Sequence, residues 1–406
     1  MNNRNNYQTR LPRPHRPDYI LALMVFILCL VGLVMVFSAS VVKSYAVTGG
    51  ETTTKFLYHQ VASLALGIFG WALSYRIDYP HWRKIGTKFF AITVFLLILV
   101  LVTGRVAGGA QRWLDFGIIS FQPAEAIKVA FIVYLSLWFE QRLAKINTFE
   151  VILPFMLMLA ALSVLILMQP NLSTTLIIAA TGLVIYFIAG ANFRILGTFL
   201  VGGFFAVMGL IKLESYRLAR LSVFLNPEAD PSGLGYQITQ SLIAVGNGGL
   251  FGVGFNQSRQ KFLYLPEVTT DAIFPIIAEE LGFLRSLLIL GLFLVLIIRG
   301  YKIAKNAPDD FSRFVAVGIS TWFLVQIFIN IGAMVSILPL TGVPLIFVSF
   351  GGSSLLFSLF AVGILLNISK YTKEEVIHAN SGSWRGNWGS YLSYFSGSRR
   401  TRKKRR

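Results

Sequence analysis

The sequence predicts an all-α integral membrane protein with about ten transmembrane helices. Of its 406 residues, 55% are hydrophobic and only 13% are charged, and the mean hydropathy is +0.67. Soluble domains carry roughly 25% charged residues, and a spanning helix needs about 20 apolar residues. This composition excludes an ordinary soluble protein. The single cysteine, Cys29, excludes a disulfide framework and a thiolate metal cluster within one chain.

Ten apolar runs, each bounded by charged or turn residues, predict the spans in order. They cover Tyr19 to Val41, Phe56 to Tyr75, Phe89 to Gly104, Glu125 to Phe139, Val151 to Met168, Leu172 to Ala189, Ile195 to Ile211, Asp271 to Ile298, Phe314 to Leu338 and Pro344 to Ile368.

The distribution of Lys and Arg predicts the orientation, because these residues are retained on the cytoplasmic side. Most of the 36 Lys and Arg residues fall in alternate loops, on the same side of the membrane as both termini. Residues 1–17 and the basic residues 372–406 are therefore predicted as cytoplasmic tails around a membrane domain at 18–371. The net charge of +18 then reflects topology and contact with anionic lipid rather than nucleic-acid binding. A long loop of about residues 212–270, between spans seven and eight, and a shorter one of about 105–124 lie outside.

The long outer loop combines carboxylates and cations. Asp271 stands at the mouth of the eighth span after Glu267, and Arg217, Arg220 and Lys261 belong to the same segment. A carboxylate at the edge of hydrocarbon loses solvation, which raises its pKa and makes it a better proton acceptor. The alternative is that Asp271 only caps its helix.

The same loop is rich in glycine between Gly246 and Gly254. Because lipid does not tolerate bare backbone, these glycines predict chain folded back against the membrane domain. The stretch lacks the Lys-Ser or Lys-Thr of a nucleotide-binding loop. The four histidines form no metal-binding pair, and no Ser, His, Asp arrangement is recognisable, so zinc hydrolases and serine proteases are excluded.

The fourth span carries a charged pair in an otherwise apolar helix. Lys128 follows Glu125 by one turn, and Gln122 and Pro123 set the start of the helix. Intramembrane charges are functional by default, so Lys128 pairs with Glu125 to hold the helix, binds an anionic substrate, or does both. In the preceding loop, Trp113 and its neighbour Arg112 form either an interfacial anchor or a contact to a head group or sugar.

Several long motifs in order, from Asp18 to about Tyr371, resemble the SEDS family of shape, elongation, division and sporulation proteins, the FtsW and RodA peptidoglycan polymerases. They are GLVMVFSAS ending at Ser40, GGAQRWLDFGIISFQPAEAIKVA from Gly108, the QPN turn at Gln169, YRLAR from Tyr216, GLGYQITQSLIAVGNGGLFGVGFNQSRQKFLYLPEVTTDAIFPIIAEELG and GVPLIFVSFGGSSLL from Gly342. The spacing of Ser258, Gln260 and Lys261 looks more like the division member, FtsW.

The resemblance implies a glycosyltransferase that polymerises lipid II, the undecaprenyl-diphosphate-linked disaccharide pentapeptide, at the outer face of the bacterial cytoplasmic membrane. The essential aspartate of the family falls on Asp271, which would act as the general base. Cations would stabilise the leaving diphosphate. The candidate substrate-binding residues are Lys128, Glu125, Trp113, Gln122, Arg217, Arg220, Lys261 and Glu267. No cofactor is certain, and a divalent cation, Mg²⁺ or Mn²⁺, stays open.

The resemblance also implies partners: a class B penicillin-binding protein that cross-links the glycan, and further division proteins at the septum. The sequence departs from the family pattern at Asn171, where Asp is usual, and at Ile346 and Phe350, where Pro and Tyr are common. It also departs from the catalytic motif at Thr269, where His is usual, and at Ala272, where Phe is usual. These departures keep open a noncatalytic scaffold. A flippase for the same lipid and a RodA-type elongation polymerase are rival functions that the sequence leaves open.

Overall fold

The computed structural model describes residues 14–107, 110–115 and 120–373 and is mostly helical. Its helices are α1 (Tyr19–Val47), α2 (Lys55–Arg76), α3 (Tyr79–Thr103), α4 (Pro123–Glu140), α5 (Phe149–Leu167), α6 (Leu172–Ile188), α7 (Phe193–Leu213), α8 (Ser215–Leu225), α9 (Leu234–Asn247), α10 (Ile273–Lys305), α11 (Asp310–Met334) and α12 (Gly352–Ser369). The predicted N-terminal tail up to Arg13, the start of the second motif at Gly108 and the basic tail from Glu374 onward lie outside the described residues.

The predicted class of membrane protein is confirmed. Within the described part of the chain, eight helices are long and apolar enough to cross a membrane. Two further predicted spans are present as α4, which carries Glu125 and Lys128, and α6, which has only 17 residues. The total of ten spans stays a prediction.

The helices form a layered bundle with α4, α11 and α12 inside. Most residues of these three helices are buried, whereas only 6% of the spanning window of α7 is buried. α2 packs along α12, α3 along α4, and α11 along both α6 and α10. α1 lies against α10 and α2. An exposed apolar surface on the outer helices is what lipid contact requires.

The shorter outer loop contains a small sheet that the sequence did not predict. Its strands are β1 (Arg105–Ala107), β2 (Ala110–Asp115) and β3 (Ser120–Phe121), paired antiparallel in that order. Strands this short give no clear two-residue alternation in the sequence. The sheet sits directly before α4 and therefore places β2 over the start of that helix.

The last predicted span was wrong at its start. We expected it to begin at Pro344, but α12 begins only at Gly352. Residues 335–351 form a non-helical stretch that we call the buried loop, because residues 345–349 are all buried, although Ile337 is exposed. Pro344 removes a backbone donor, and Gly342 and Phe347 have φ values of +65°. Side chains of other elements therefore bind its carbonyls: Gln60 donates to Ser349 O at 3.3 Å, and Ser173 donates to Thr341 O at 2.8 Å.

A buried ionic cluster holds the long outer loop against the bundle. Lys261 Nζ lies 3.2 Å from Glu280 Oε1 and 3.3 Å from the Ser38 hydroxyl, and it also donates to Asn256. Ser38, on α1, donates to Glu280 at 2.7 Å. The backbone N–H of Asn256 binds the same carboxylate at 3.0 Å. One buried charge pair thus ties α1, α10 and the loop together.

The glycine-rich part of the loop is folded back as predicted. The N–H of Phe283 donates to Gly249 O at 2.9 Å, and that of Val253 donates to Glu279 O at 2.9 Å. This pairing is possible because α10 is interrupted at Gly282, which has φ +80° and ψ 177°. A Cβ at Gly282 would lie 2.2 Å from the backbone nitrogen of Gly252.

We expect Gly282→Ala to lower the melting temperature by several degrees. This backbone conformation is nearly restricted to glycine and costs on the order of 1–3 kcal/mol for other residues, before the clash with Gly252 is counted. Gly291→Ala on the same helix is the matched control, because a Cβ there meets nothing within 4 Å. Thermal unfolding in detergent measures both variants, and equal melting temperatures would contradict the assigned break.

Candidate active site

A cavity of about 820 Å³ opens at the end of the bundle where α2, α4, α6 and α12 begin, the end predicted to face outward. Its walls also include β2, β3, the turn before α10 and the buried loop. Among the predicted site residues it brings together Trp113, Gln122, Glu125, Glu267 and Asp271. Residues from several separate regions of the sequence therefore line one chamber.

Asp271 is partly buried in the wall of this cavity and does not cap a helix. The N-cap position of α10 is Ala272, and no side chain caps the helix there. Thr270 Oγ1 donates to Asp271 Oδ1 at 3.2 Å. Burial, and after it the neighbouring Glu267 carboxylate, raises the pKa of Asp271 to about 6, while the Thr270 hydroxyl and the Arg220 charge partly oppose that rise.

The turn Glu267–Ala272 presents this carboxylate. Glu267 has φ +51°, and its carbonyl accepts the N–H groups of both Thr270 and Ala272 at 3.1 Å. Its carboxylate accepts the Thr270 hydroxyl at 2.9 Å. The Glu267 and Asp271 carboxylates thus lie on either side of one hydroxyl group at the cavity wall.

Two of the motif departures, Thr269 and Ala272, lie behind the cavity, whereas Asn171 and Phe350 line it. Thr269 is fully buried, its carbonyl accepts the N–H of Phe350 at 2.8 Å, and its hydroxyl has no hydrogen-bond partner in the described part of the chain. Ala272 is fully buried as well. Neither side chain lines the cavity. The residues that replace His and Phe therefore act on packing and not on the exposed face of Asp271.

The predicted ion pair on the fourth span is confirmed. Lys128 Nζ lies 2.8 Å from Glu125 Oε2, and both side chains are nearly inaccessible. Lys128 also donates to Gln326 Oε1 at 2.9 Å and lies 4.8 Å from the centre of the Trp322 ring. Glu125 lines the cavity, whereas Lys128 lies behind it. The pair joins the cavity wall to α11.

The other predicted cations are not among the cavity-lining residues. Lys261 belongs to the buried ionic cluster, Arg217 donates to Leu210 O at 3.1 Å, and Arg220 donates to Leu340 O at 2.9 Å. The cavity is lined instead by Arg112, which donates from Nε to Gln169 O at 2.7 Å and from its terminal nitrogen to Pro170 O. Arg112 fixes β2, and so Trp113, to the turn before α6.

Sequence reasoning missed some cavity residues, among them His59 on α2 and the Ser353, Ser354 pair at the start of α12. α2 and α12 lie far apart in the sequence but pack along each other. No local pattern marks a side chain whose role depends on such a contact. Among the described residues, no group of three or more His, Cys, Asp or Glu side chains is arranged to hold a metal ion.

We expect Lys128→Met and Glu125→Gln each to destabilise the protein by roughly 3–5 kcal/mol, because each leaves its partner without a counter-charge in an apolar surrounding. The double variant should recover a large part of that loss. Lys145→Met is the control, since it breaks an equally short pair with Glu150 that is exposed to solvent. Unfolding in a denaturant series compares the four proteins, and single variants as stable as the control would contradict a buried pair.

Known proteins of similar sequence and fold identify the family of this chain. Residues 19–374 match the family FtsW/RodA/SpoVE, described as cell cycle protein. The chain is 41% identical over 363 residues to stage V sporulation protein E of Bacillus subtilis, covering 88% of this chain and 98% of that protein. It is 41% identical over 357 residues to a probable peptidoglycan glycosyltransferase FtsW of Trichlorobacter lovleyi, covering 87% and 93%. A solved structure on the coordination of polymerization and crosslinking by a peptidoglycan synthase complex contains a similar chain, with a TM-score of 0.71, 26% identity and coverage of 87% and 97%. The chain belongs to the FtsW/RodA/SpoVE family of cell cycle proteins.

Proposed function

We propose that this protein is a peptidoglycan glycosyltransferase that polymerises lipid II at the outer face of the cytoplasmic membrane, with Asp271 as the general base. The observation that carries the proposal is the Asp271 carboxylate, which lines the cavity and has a pKa raised to about 6. A base with a pKa near the working pH combines an ionised ground state with useful proton affinity.

The proposed reaction forms one glycosidic bond and breaks one sugar–phosphate bond. The 4-hydroxyl oxygen of the acceptor GlcNAc attacks the anomeric carbon of the terminal MurNAc on the growing chain. Asp271 takes the hydroxyl proton as the new C–O bond forms, and the bond from the anomeric carbon to the diphosphate breaks. Undecaprenyl diphosphate leaves with the bonding electron pair, so negative charge grows on the diphosphate.

Cations near Asp271 are proposed to stabilise that charge. Arg220 is close enough to lower the pKa of Asp271, and Arg112 lines the cavity. Lys128 and Lys261 are enclosed in buried pairs and contribute indirectly by fixing the walls. Trp113 and Gln122 are proposed to contact the sugars.

The family also supports proposals about context. FtsW relatives and the similar chain from a peptidoglycan synthase complex favour a class B penicillin-binding protein as partner. We assign the protein to septal synthesis with other division proteins, with both termini in the cytoplasm. The elongation role of RodA is the competing assignment. The rates of peptidoglycan synthesis at the septum and at the side wall, measured in a strain depleted of this protein, distinguish the two roles.

We expect Asp271→Asn to abolish glycan polymerisation from purified lipid II, with a loss of at least about a hundredfold, because the amide does not accept the proton. The protein is assayed with its cognate partner carrying a dead transpeptidase site. Asp115→Asn is the control, since Asp115 is an aspartate of β2 outside the cavity lining.

Polymer from Asp271→Asn at the wild-type rate would contradict the base assignment. No polymer from wild type, together with lipid II movement across liposome membranes, would favour the flippase.

The pH profile provides a separate test. The ionised carboxylate is the active form, so the rate should fall about tenfold per pH unit below pH 6 and level off above it. Glu267→Gln removes a negative neighbour that raises the pKa of Asp271. The acid limb should therefore move to lower pH in that variant. An acid limb that stays in place would contradict the electrostatic coupling of the two carboxylates.

A further inference from the structure

Asn330 joins two separate segments of the cavity wall through one amide group. It lies on α11 and is 1% exposed. Its Nδ2 donates one hydrogen bond to the carbonyl of Asp271 at 2.9 Å and another to the carbonyl of Val343 at 2.7 Å. The first carbonyl belongs to the turn before α10, and the second belongs to the buried loop. Both N–H donors of the amide are used in this bridge.

The two bridged segments meet at the Asp271 carboxylate. Gly342 precedes Val343, has φ +65°, and faces Asp271 closely enough that a Cβ there would lie 3.9 Å from Oδ2. The distance between the Asp271 carboxylate and Gly342 on the facing wall is therefore fixed next to the two carbonyls that Asn330 binds. A displacement of either carbonyl would move the carboxylate relative to the cavity.

The chemistry of the amide explains why this position needs asparagine. Asn330 Oδ1 has no hydrogen-bond partner in the described part of the chain. A flipped amide would direct that oxygen at two carbonyl oxygens, so the nitrogen must face them. A carboxylate is acceptor-only when ionised, and a leucine side chain offers no donor.

One turn earlier on α11, Gln326 supports the next carbonyl in the same way. Its Nε2 donates to Pro344 O at 2.9 Å, while its Oε1 accepts from Lys128 at 2.9 Å and from the Trp322 indole at 2.7 Å. Gln326 is itself anchored through the buried pair of α4. The polar face of α11 therefore gives consecutive carbonyls of the buried loop a rigid support.

We propose that Asn330 is a positioning residue for the general base, holding the backbone of Asp271 and the buried loop at the separation that the reaction needs. This inference rests on the proposed function, since it assigns a consequence to the placement of Asp271. Asn330 acts through the main chain and does not touch the reacting atoms. Its loss therefore reduces turnover more than substrate binding.

The test compares Asn330→Leu with Asn367→Leu. Leucine is close in shape to asparagine but lacks its donors. Asn367 is also fully buried, donates to Tyr75 O at 2.7 Å and accepts from the N–H of Tyr79 at 2.8 Å, but it lies at the opposite end of the bundle. We expect Asn330→Leu to lower kcat at least about tenfold with KM changed less than about threefold, while Asn367→Leu keeps both values within about twofold of wild type. Rates are normalised to folded protein by thermal unfolding.

Asn330→Gln provides a second variant in case Asn330→Leu does not fold. It retains both N–H donors but moves them by one methylene, so we expect a folded protein that still loses at least about tenfold in kcat. Wild-type kcat in either folded Asn330 variant, or an equal loss in Asn367→Leu, would overturn the proposal.

Asp271→Asn, assayed in parallel, separates failure of this inference from failure of the proposed function. If that variant polymerises normally, Asp271 is not the base and the positioning role has no basis. If it is inactive while an Asn330 variant is fully active, only the positioning role fails.

Discussion

The structure depends on the requirement that every backbone polar group inside an apolar domain find a partner. Helices satisfy their backbone groups with hydrogen bonds inside the helix, but the buried loop and the glycine-rich part of the outer loop do not. The backbone groups of these two segments bind side chains and backbone of other elements instead. Asn330 and Gln326 bind consecutive carbonyls of the buried loop, and residues around Gly282 pair with the outer loop. These requirements fix the non-helical chain in place and so create a cavity with rigid walls at one end of the bundle.

In these apolar surroundings the charged side chains form two groups, those paired with a buried partner and Asp271. Lys128 and Lys261 are each paired with a buried carboxylate, and their charges are committed to holding α4 and the outer loop. Asp271 is different, because it is partly buried beside a second carboxylate and its pKa is raised to about 6. Burial beside the Glu267 carboxylate, only partly offset by the Arg220 charge, makes Asp271 a proton acceptor suited to neutral pH. In the proposed function, the walls supply the geometry and this carboxylate supplies the reactive group.

Much of the fold and part of the site follow from local sequence patterns. The spans follow from apolar runs, the Lys128 and Glu125 pair from their one-turn spacing, and the folded-back loop from its glycines. Other features depend on contacts between distant residues. Ser38 and Glu280 are 242 positions apart, so nothing near Lys261 shows that this lysine is buried rather than at the substrate. The start of α12 was misplaced because the apolar residues of the buried loop have the composition of a span.

The most direct measurement is a structure of the Asp271→Asn variant, with its transpeptidase partner, trapped with lipid II and a short glycan chain. We expect the acceptor 4-hydroxyl within about 2.6–3.2 Å of the side-chain oxygen of the substituted residue. We also expect the diphosphate of the growing chain on the side of Arg112 and Arg220. An acceptor sugar bound outside the cavity, or a diphosphate in contact with the substituted side chain, would contradict the assignment of this carboxylate as the base.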